Sequence, residues 1–341
     1  MIDVRKKFRE ALQDTVDIWK ARPQVKGVFV HGSYAGGTAT FESDLDVGVI
    51  WDSDDAPVEL LSEHKGVRID MTFLTPKQID SVLKGEQSDP LRVAEVMGRL
   101  KNAQIALDTD GTLSKWKEKA AQFKWSPEHI ATVKKRAMDA LERASKYANR
   151  EDTVNSVHEI RLALFDLGRV IVMKNNELGI IKPSEVLSGV RMLDPIAYQL
   201  FLRTFKLKGL EEEDLTGILE DVKHWLGIAE ERCKAMKPAP REAVESLAQA
   251  QREYYGAMML TVNGDYELAV LEMRHSIHSI GVALLAMDGV NDLAGSALVD
   301  ELRERETEFY DQILVEYGAF DFQPKGIERS IGEAKFIAQR L

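Results

Sequence analysis

The chain holds one cysteine in 341 residues, Cys233, which excludes an internal disulfide and any thiolate zinc cluster. That usage fits a reducing compartment, and a cytoplasmic location is expected. Long apolar runs are missing as well. No stretch approaches the roughly 18 consecutive apolar residues of a membrane span. The opening MIDVRKKFREALQD is charged throughout, unlike a signal peptide or an anchor. Positive charge is scarce, with 45 Lys and Arg against 56 Asp and Glu, a net charge of −11 and a pI near 5.3. This balance argues against broad contact with a nucleic-acid backbone, which needs clustered cations, and it permits a cationic small substrate. The five tryptophans are scattered without a base-stacking pattern. No G-x-x-x-x-G-K-[ST] is present, and Gly32-Ser33-Tyr34-Ala35-Gly36-Gly37 lacks the dinucleotide spacing. What remains, 44% hydrophobic and 30% charged, is the composition of a globular chain with room for two or three domains.

Two regions of different character follow. Val4, Phe8, Leu12 and Trp19 set an amphipathic helix over 3–20, which Arg22-Pro23 ends. Val25 to Val30 reads as a strand, His31 to Ser43 as a loop of small residues, and Leu45–Trp51 and Val67–Leu74 as further strands. Asp89-Pro90 opens a helix to about Asn102, and Gln104 to Leu107 reads as a fourth strand. From Ser126 onward the pattern is helical almost to the end, over 127–149, 153–175, 194–206, 212–236, 241–262, 265–287, 296–317 and 325–340. Lys237-Pro238-Ala239-Pro240 is a linker, because two prolines so close cannot sit inside a helix.

The helical half contains a repeat. Val157-His158-Glu159-Ile160-Arg161 matches Val270-Leu271-Glu272-Met273-Arg274 at an offset of 113, and Gly168 matches Gly281. The expected organisation is an α+β domain over 1–112 with a small mixed sheet, followed by two similar helical modules, 113–236 and 241–341.

The chemistry concentrates between His31 and Val47. Gly32-Ser33 follows a strand directly, and a turn of small residues there presents consecutive backbone N–H groups to an anion such as phosphate. Asp44 and Asp46 lie two apart at the start of the next strand, so they share a face roughly 6–7 Å apart along the chain. Two carboxylates side by side repel unless cations lie between them, and hard oxygen ligands suit Mg²⁺. Two such ions clamp the attacking and leaving oxygens of an in-line phosphoryl displacement. Asp70, in the alternating Val67–Phe73 run, joins them if the two strands are neighbours. Glu42, in the loop, is less suited.

Gly-Ser, ten residues, Asp-x-Asp, and a lone Asp on a later strand resemble the nucleotidyltransferase superfamily built on the DNA polymerase β palm. The likeness covers about 20–110. It implies a nucleoside triphosphate, ATP or another, with its β and γ phosphates on Gly32-Ser33. Asp44 and Asp46 would hold the metals, and Asp70 the second metal or the acceptor hydroxyl. A hydroxyl would attack the α-phosphorus and expel pyrophosphate.

Within that superfamily the layout is similar to the kanamycin nucleotidyltransferases, in which a helical domain follows the catalytic one. There a helical-domain glutamate acts as general base, and Glu142 or Asp139 is nearest in pattern here. The implied acceptor is a hydroxyl on a small molecule, of cationic, aminoglycoside-like type. Helical modules beside minimal nucleotidyltransferases also resemble HEPN domains, which pair with antitoxins that adenylylate proteins. Arg274-His275-Ser276-Ile277-His278 is one residue short of the Arg–His spacing of HEPN ribonucleases, and the first module has no such histidine after Arg161. Three activities therefore compete: transfer to a small molecule, transfer to a protein, and nucleotide binding without turnover. His31, Lys77 and Lys84 are weaker phosphate contacts, and the basic run from Lys115 to Arg136 reads as a solvated surface.

Overall fold

A computed structural model describes residues 4–37, 39, 43–53, 55–57, 60–291, 293 and 295–341. The chain divides into two compact units, Met1–Trp125 and Ser126–Leu341.

The first unit is a five-stranded mixed sheet with helices. Its elements are α1 (Val4–Trp19), β1 (Val25–Val30), α2 (Gly32–Gly36), β2 (Leu45–Trp51), β3 (Leu60–His64), β4 (Val67–Leu74), α3 (Pro76–Leu83), α4 (Pro90–Lys101), β5 (Gln104–Asp108) and α5 (Thr112–Ala121). The strand order is β3-β4-β2-β1-β5. Only the central β2–β4 pair is parallel. Alternation along the strands sends Leu45, Val47, Val49, Ile69, Met71 and Phe73 into one core with Phe8, Ala11 and Trp19 of α1. Trp19, Trp51 and Phe73 meet edge to face there, with ring centroids 5.1–6.2 Å apart.

Three elements here escape a reading by pattern. β3 is a short edge strand, Leu-Leu-Ser-Glu-His, with no run of β-branched residues. α3 starts in a reciprocal cap, Thr75 Oγ1 accepting from Gln78 N (3.2 Å) and Gln78 Oε1 from Thr75 N (2.8 Å). α5 is held to the sheet unit, since Trp116 Nε1 donates to Asp80 Oδ1 (3.1 Å) and Leu113 Cδ2 lies 3.0 Å from where a Cβ on Gly27 would be. The unit therefore runs past residue 112, to Trp125.

The second unit is all helical: α6 (Pro127–Ala148), α7 (Thr153–Lys174), α8 (Pro183–Leu193), α9 (Pro195–Thr204), α10 (Glu212–Ala235), α11 (Arg241–Val262), α12 (Tyr266–Met287) and α13 (Ser296–Arg305), then a broken stretch and a C-terminal helix Pro324–Arg340. α8 was not anticipated, although Pro183 at its first turn is a start signal. The helix expected over 296–317 breaks at Glu306 and includes a π-helical turn, Tyr310–Val315. α12 is long and apolar enough to cross a membrane by composition alone, but 78% of that stretch is buried inside the protein, the behaviour of a core helix.

Backbone features recur along the helical unit. α6, α7, α11 and α12 are each 22 residues long. Positive φ recurs at the same offset of 113, at Glu151 and Gly264, Asn176 and Gly289, and Lys206 and Ala319. Asp152 caps α7 as Asp265 caps α12. The two modules exchange contacts. Arg161 donates to Thr204 O in its own module (3.1 Å) and to Gly318 O and Ala319 O in the other (2.6 and 2.9 Å). Arg274 donates to Tyr317 O (2.9 Å) and to Phe205 O, the matching carbonyls in reverse. Each guanidinium thereby satisfies carbonyls at the C-terminal ends of helices in both modules.

Candidate functional site

Asp46 stands directly beside Asp70 on the parallel β2–β4 pair. Leu45 and Val47 are fully buried on the α1 side, so the pleat turns Asp46 to the opposite face. Asp44 precedes the strand by one residue. One carboxylate oxygen from each of Asp44, Asp46 and Asp70 lies within 4.8 Å of the others. Asp46 and Asp70 are 8% and 9% exposed, and Asp44 is half-buried. Three like charges in a partly desolvated corner repel strongly, and a divalent cation removes that cost. The strands have thus brought the three aspartates together as the β pairing requires.

The chain between β1 and β2 is built onto these carboxylates. Gly32 has φ +62, and a Cβ there would sit 1.9 Å from Asp46 Oδ2, so any side chain would displace that carboxylate. His31 N donates to Asp46 O (3.1 Å), tying the turn to β2. Gly32-Ser33 is not an open loop, as the small residues led one to expect. Residues 32–36 coil into a short helical turn that ends at Gly37, φ +76. Tyr34 anchors it by stacking on Phe8 of α1 (5.6 Å), and Gln104 Nε2 of β5 donates to Ala35 O (2.8 Å). Glu42 lies outside the described residues.

One feature of the site was missed in the sequence. Phe29 of β1 is fully buried, and its ring crosses β2 at Gly48, where a Cβ would lie 2.1 Å from it. Gly48 is two residues after Asp46, on the same face, and pairs with Thr72, two after Asp70. An apolar floor therefore continues the strand face that carries the carboxylates. A glycine inside an otherwise β-branched strand was the available signal.

The donor set fits a divalent cation of Mg²⁺ type: three hard oxygen ligands, and a glycine cradle that admits no Cβ beside one of them. Glu142 and Asp139 belong to α6 in the helical unit, and both are exposed. Glu142 pairs with Lys146 at 3.0 Å, which holds its carboxyl below the usual range. In the Arg274–His278 segment, Arg274 is committed to carbonyls, His275 packs on Phe165 (5.3 Å) and His278 on His158 (6.0 Å). Burial pushes His275 down to about 3, so it is neutral at pH 7.

Residues 13–96 match the family model described as polymerase beta, nucleotidyltransferase. The sheet unit carries a nucleotidyltransferase-type domain. The match spans α1 to α4 and contains all three aspartates; it does not reach the helical unit. No curated protein matches the chain. Among solved structures, a nucleotidyltransferase-like protein from Exiguobacterium sibiricum is similar at 12% identity over 90% of this chain and 91% of that one, with a TM-score of 0.38.

Proposed function

We propose that the protein is a divalent-metal-dependent nucleotidyltransferase of the kanamycin-nucleotidyltransferase type, moving a nucleoside monophosphate, AMP, from its triphosphate to a hydroxyl of a small cationic molecule. The observation that carries this reading is the convergence of Asp44, Asp46 and Asp70 within a nucleotidyltransferase-type domain.

Asp44, Asp46 and Asp70 would hold the metal, and the ion when bound neutralises charge on the α-phosphate and the departing pyrophosphate. The protein's own part is placement. Gly32 and Ser33 bring backbone N–H groups and a hydroxyl beside the carboxylates, donors suited to the β and γ phosphates. Phe29 across Gly48 excludes water from the strand face behind them. The acceptor oxygen forms a bond to the α-phosphorus, the bond to the bridging oxygen breaks, and pyrophosphate leaves with the electron pair. The hydroxyl proton passes to a carboxylate, and Asp70, Asp139 and Glu142 are this chain's candidates. Catalysis then comes mainly from positioning and charge neutralisation.

The test is a screen of labelled triphosphates against a library of hydroxyl-bearing small molecules, with Mg²⁺, followed by mass spectrometry. A small molecule heavier by one nucleoside monophosphate, with equimolar pyrophosphate, supports the reading. Labelling of a protein instead moves the assignment to the antitoxin type. Triphosphate binding without pyrophosphate release under every acceptor contradicts transfer altogether.

A further inference from the structure

Three of the chain's seven histidines meet in one place, between α7 and α12. His158, Leu162 and Phe165 stand at i, i+4 and i+7 on α7, and Leu271, His275 and His278 at the same spacing on α12, so each trio shares one helix face. The two faces meet ring to ring. His158 stacks on His278 with centroids 6.0 Å apart, and Phe165 meets His275 at 5.3 Å. The three histidines are half-buried. His158 Nε2 is closed off from solvent and has no hydrogen-bond partner, while the other nitrogen of that ring bonds the Gly295 backbone. Packing does not call for histidine here. At the offset of 113, Leu271, Leu162 and Phe165 are the counterparts of His158, His275 and His278, and all three are apolar.

The surroundings are positive. Arg169 lies over the Phe165 ring at 4.4 Å, and Arg161 and Arg274, which repel each other, are held by backbone carbonyls. Among the described residues, no carboxylate forms an ion pair with Arg161 or Arg274; Asp321 acts on Arg161 at longer range. The charges that neighbouring helices bring are engaged elsewhere. Arg136 and Arg143 of α6 meet Asp166 and Glu159, Arg191 of α8 meets Asp265, and Arg232 of α10 meets Glu306. Glu253 of α11 accepts from Ser279, Asp300 of α13 from Asn155, and Arg203 of α9 pairs with Glu333 of the C-terminal helix. The charged groups that act on the three rings are Arg161 and Arg169, besides the histidines themselves. A proton added to His158 Nε2 therefore makes an N–H with no acceptor, beside guanidiniums and a second imidazole. Burial first, and then these charges, pushes His158 and His275 down to about 3; burial lowers His278 as well.

We propose that the seam between α7 and α12 is a pH-sensitive latch, closed while His158, His275 and His278 are neutral and parted when a fall to about pH 5.5 protonates them. Histidines in an opened seam take up a proton near 6.5, which the closed seam refuses. Stability from these groups is therefore complete above that value and falls as pH drops below it. Glu253 and Glu272, buried acids of α11 and α12, titrate with the opposite sign, so substitution of the histidines is what isolates the seam. Parting the helices also frees the carbonyls that Arg161 and Arg274 hold at Gly318 and Phe205. The latch is independent of nucleotidyl transfer and holds whatever the sheet unit does.

The test is hydrogen exchange of the full chain at about pH 7.5 and about pH 5.5, corrected for intrinsic rates. Protection in α7 and α12 is expected to drop by about tenfold for each histidine, about a thousandfold in all, while β2 and β4 keep theirs. The triple variant His158→Leu, His275→Leu and His278→Phe, which takes each residue from its counterpart, is expected to keep its protection at both values. The three single substitutions are each expected to remove about tenfold of the drop, and they decide the matter if the triple variant does not fold. Imidazole NMR of the wild type checks the closed state, in which none of the three rings is expected to titrate while protection lasts. Three results would each overturn the proposal: no loss of protection in the wild type, an equal loss in the wild type and the folded variants, or titration of the three rings near 6.5 with both helices still protected.

Discussion

Buried acids are treated in opposite ways in the sheet unit and the first helical module. In the module every buried carboxylate meets a guanidinium: Glu159 meets Arg143, and Asp166 meets Arg136 and Arg169. That is the ordinary requirement of a charge withdrawn from water. In the sheet unit, three carboxylates are gathered within 4.8 Å of each other, with a glycine left bare so that one of them fits. Stability alone gives no reason to collect like charges in this way. The contrast separates acids that pair within the fold from acids whose grouping fits the proposed cation site.

The sharpest way to break the comparison is to remove one acid from each region. Asp44→Ala and Asp46→Ala are each expected to lower transfer by about a thousandfold or more while the fold persists with an equal or higher Tm, since repulsion is relieved. Turnover assays alongside thermal unfolding check both halves of that statement. Asp70→Asn is expected to cut kcat about a hundredfold with little change in triphosphate affinity, read by single-turnover kinetics and equilibrium binding. An unchanged kcat would remove Asp70 from the site.

In the first module the effect is expected on stability instead. Arg143→Ala leaves Glu159 buried without its cation and should cost about 1–3 kcal/mol in denaturant unfolding, less than a fully buried pair because Arg143 is itself half-exposed. Transfer activity should follow only the fraction folded. In the second module the effect is expected in the pH dependence of stability. Burial lifts the Glu253 carboxyl from 4.5 to about 8, so between those values the folded chain holds a proton that the unfolded chain has released. Stability from this group is complete below the unfolded value and is lost as pH rises towards 8. Glu253→Gln should flatten that decline in a series of unfolding curves taken across this range; an identical slope would mean the group titrates normally.

Much of this was readable in the residues. Period-2 alternation in Leu45–Trp51 and Val67–Leu74 marked the two strands that carry the aspartates, and their parallel pairing is what sets Asp46 beside Asp70. The repeat was visible in Val157, Glu159, Arg161 and Gly168, which recur as Val270, Glu272, Arg274 and Gly281. The edge strand β3 was not, because an edge need not bury both faces and so lacks the β-branched signature. α3 and α5 were hidden by their brevity, although the Thr75–Gln78 cap was present in the sequence. The coiling of residues 32–36 depends on Tyr34 meeting Phe8 and Gln104 meeting Ala35, contacts too distant in sequence for local pattern to reveal.

The central claim concerns cation capture by Asp44, Asp46 and Asp70 under a triphosphate, and a Mn²⁺ titration followed by electron paramagnetic resonance, with and without a non-hydrolysable ATP analogue, tests it most directly. Wild-type protein should bind Mn²⁺ stoichiometrically when the analogue is present, and Asp44→Ala and Asp46→Ala should lose that binding. Equal Mn²⁺ affinity in the wild type and both variants, all of them folded, would contradict the account.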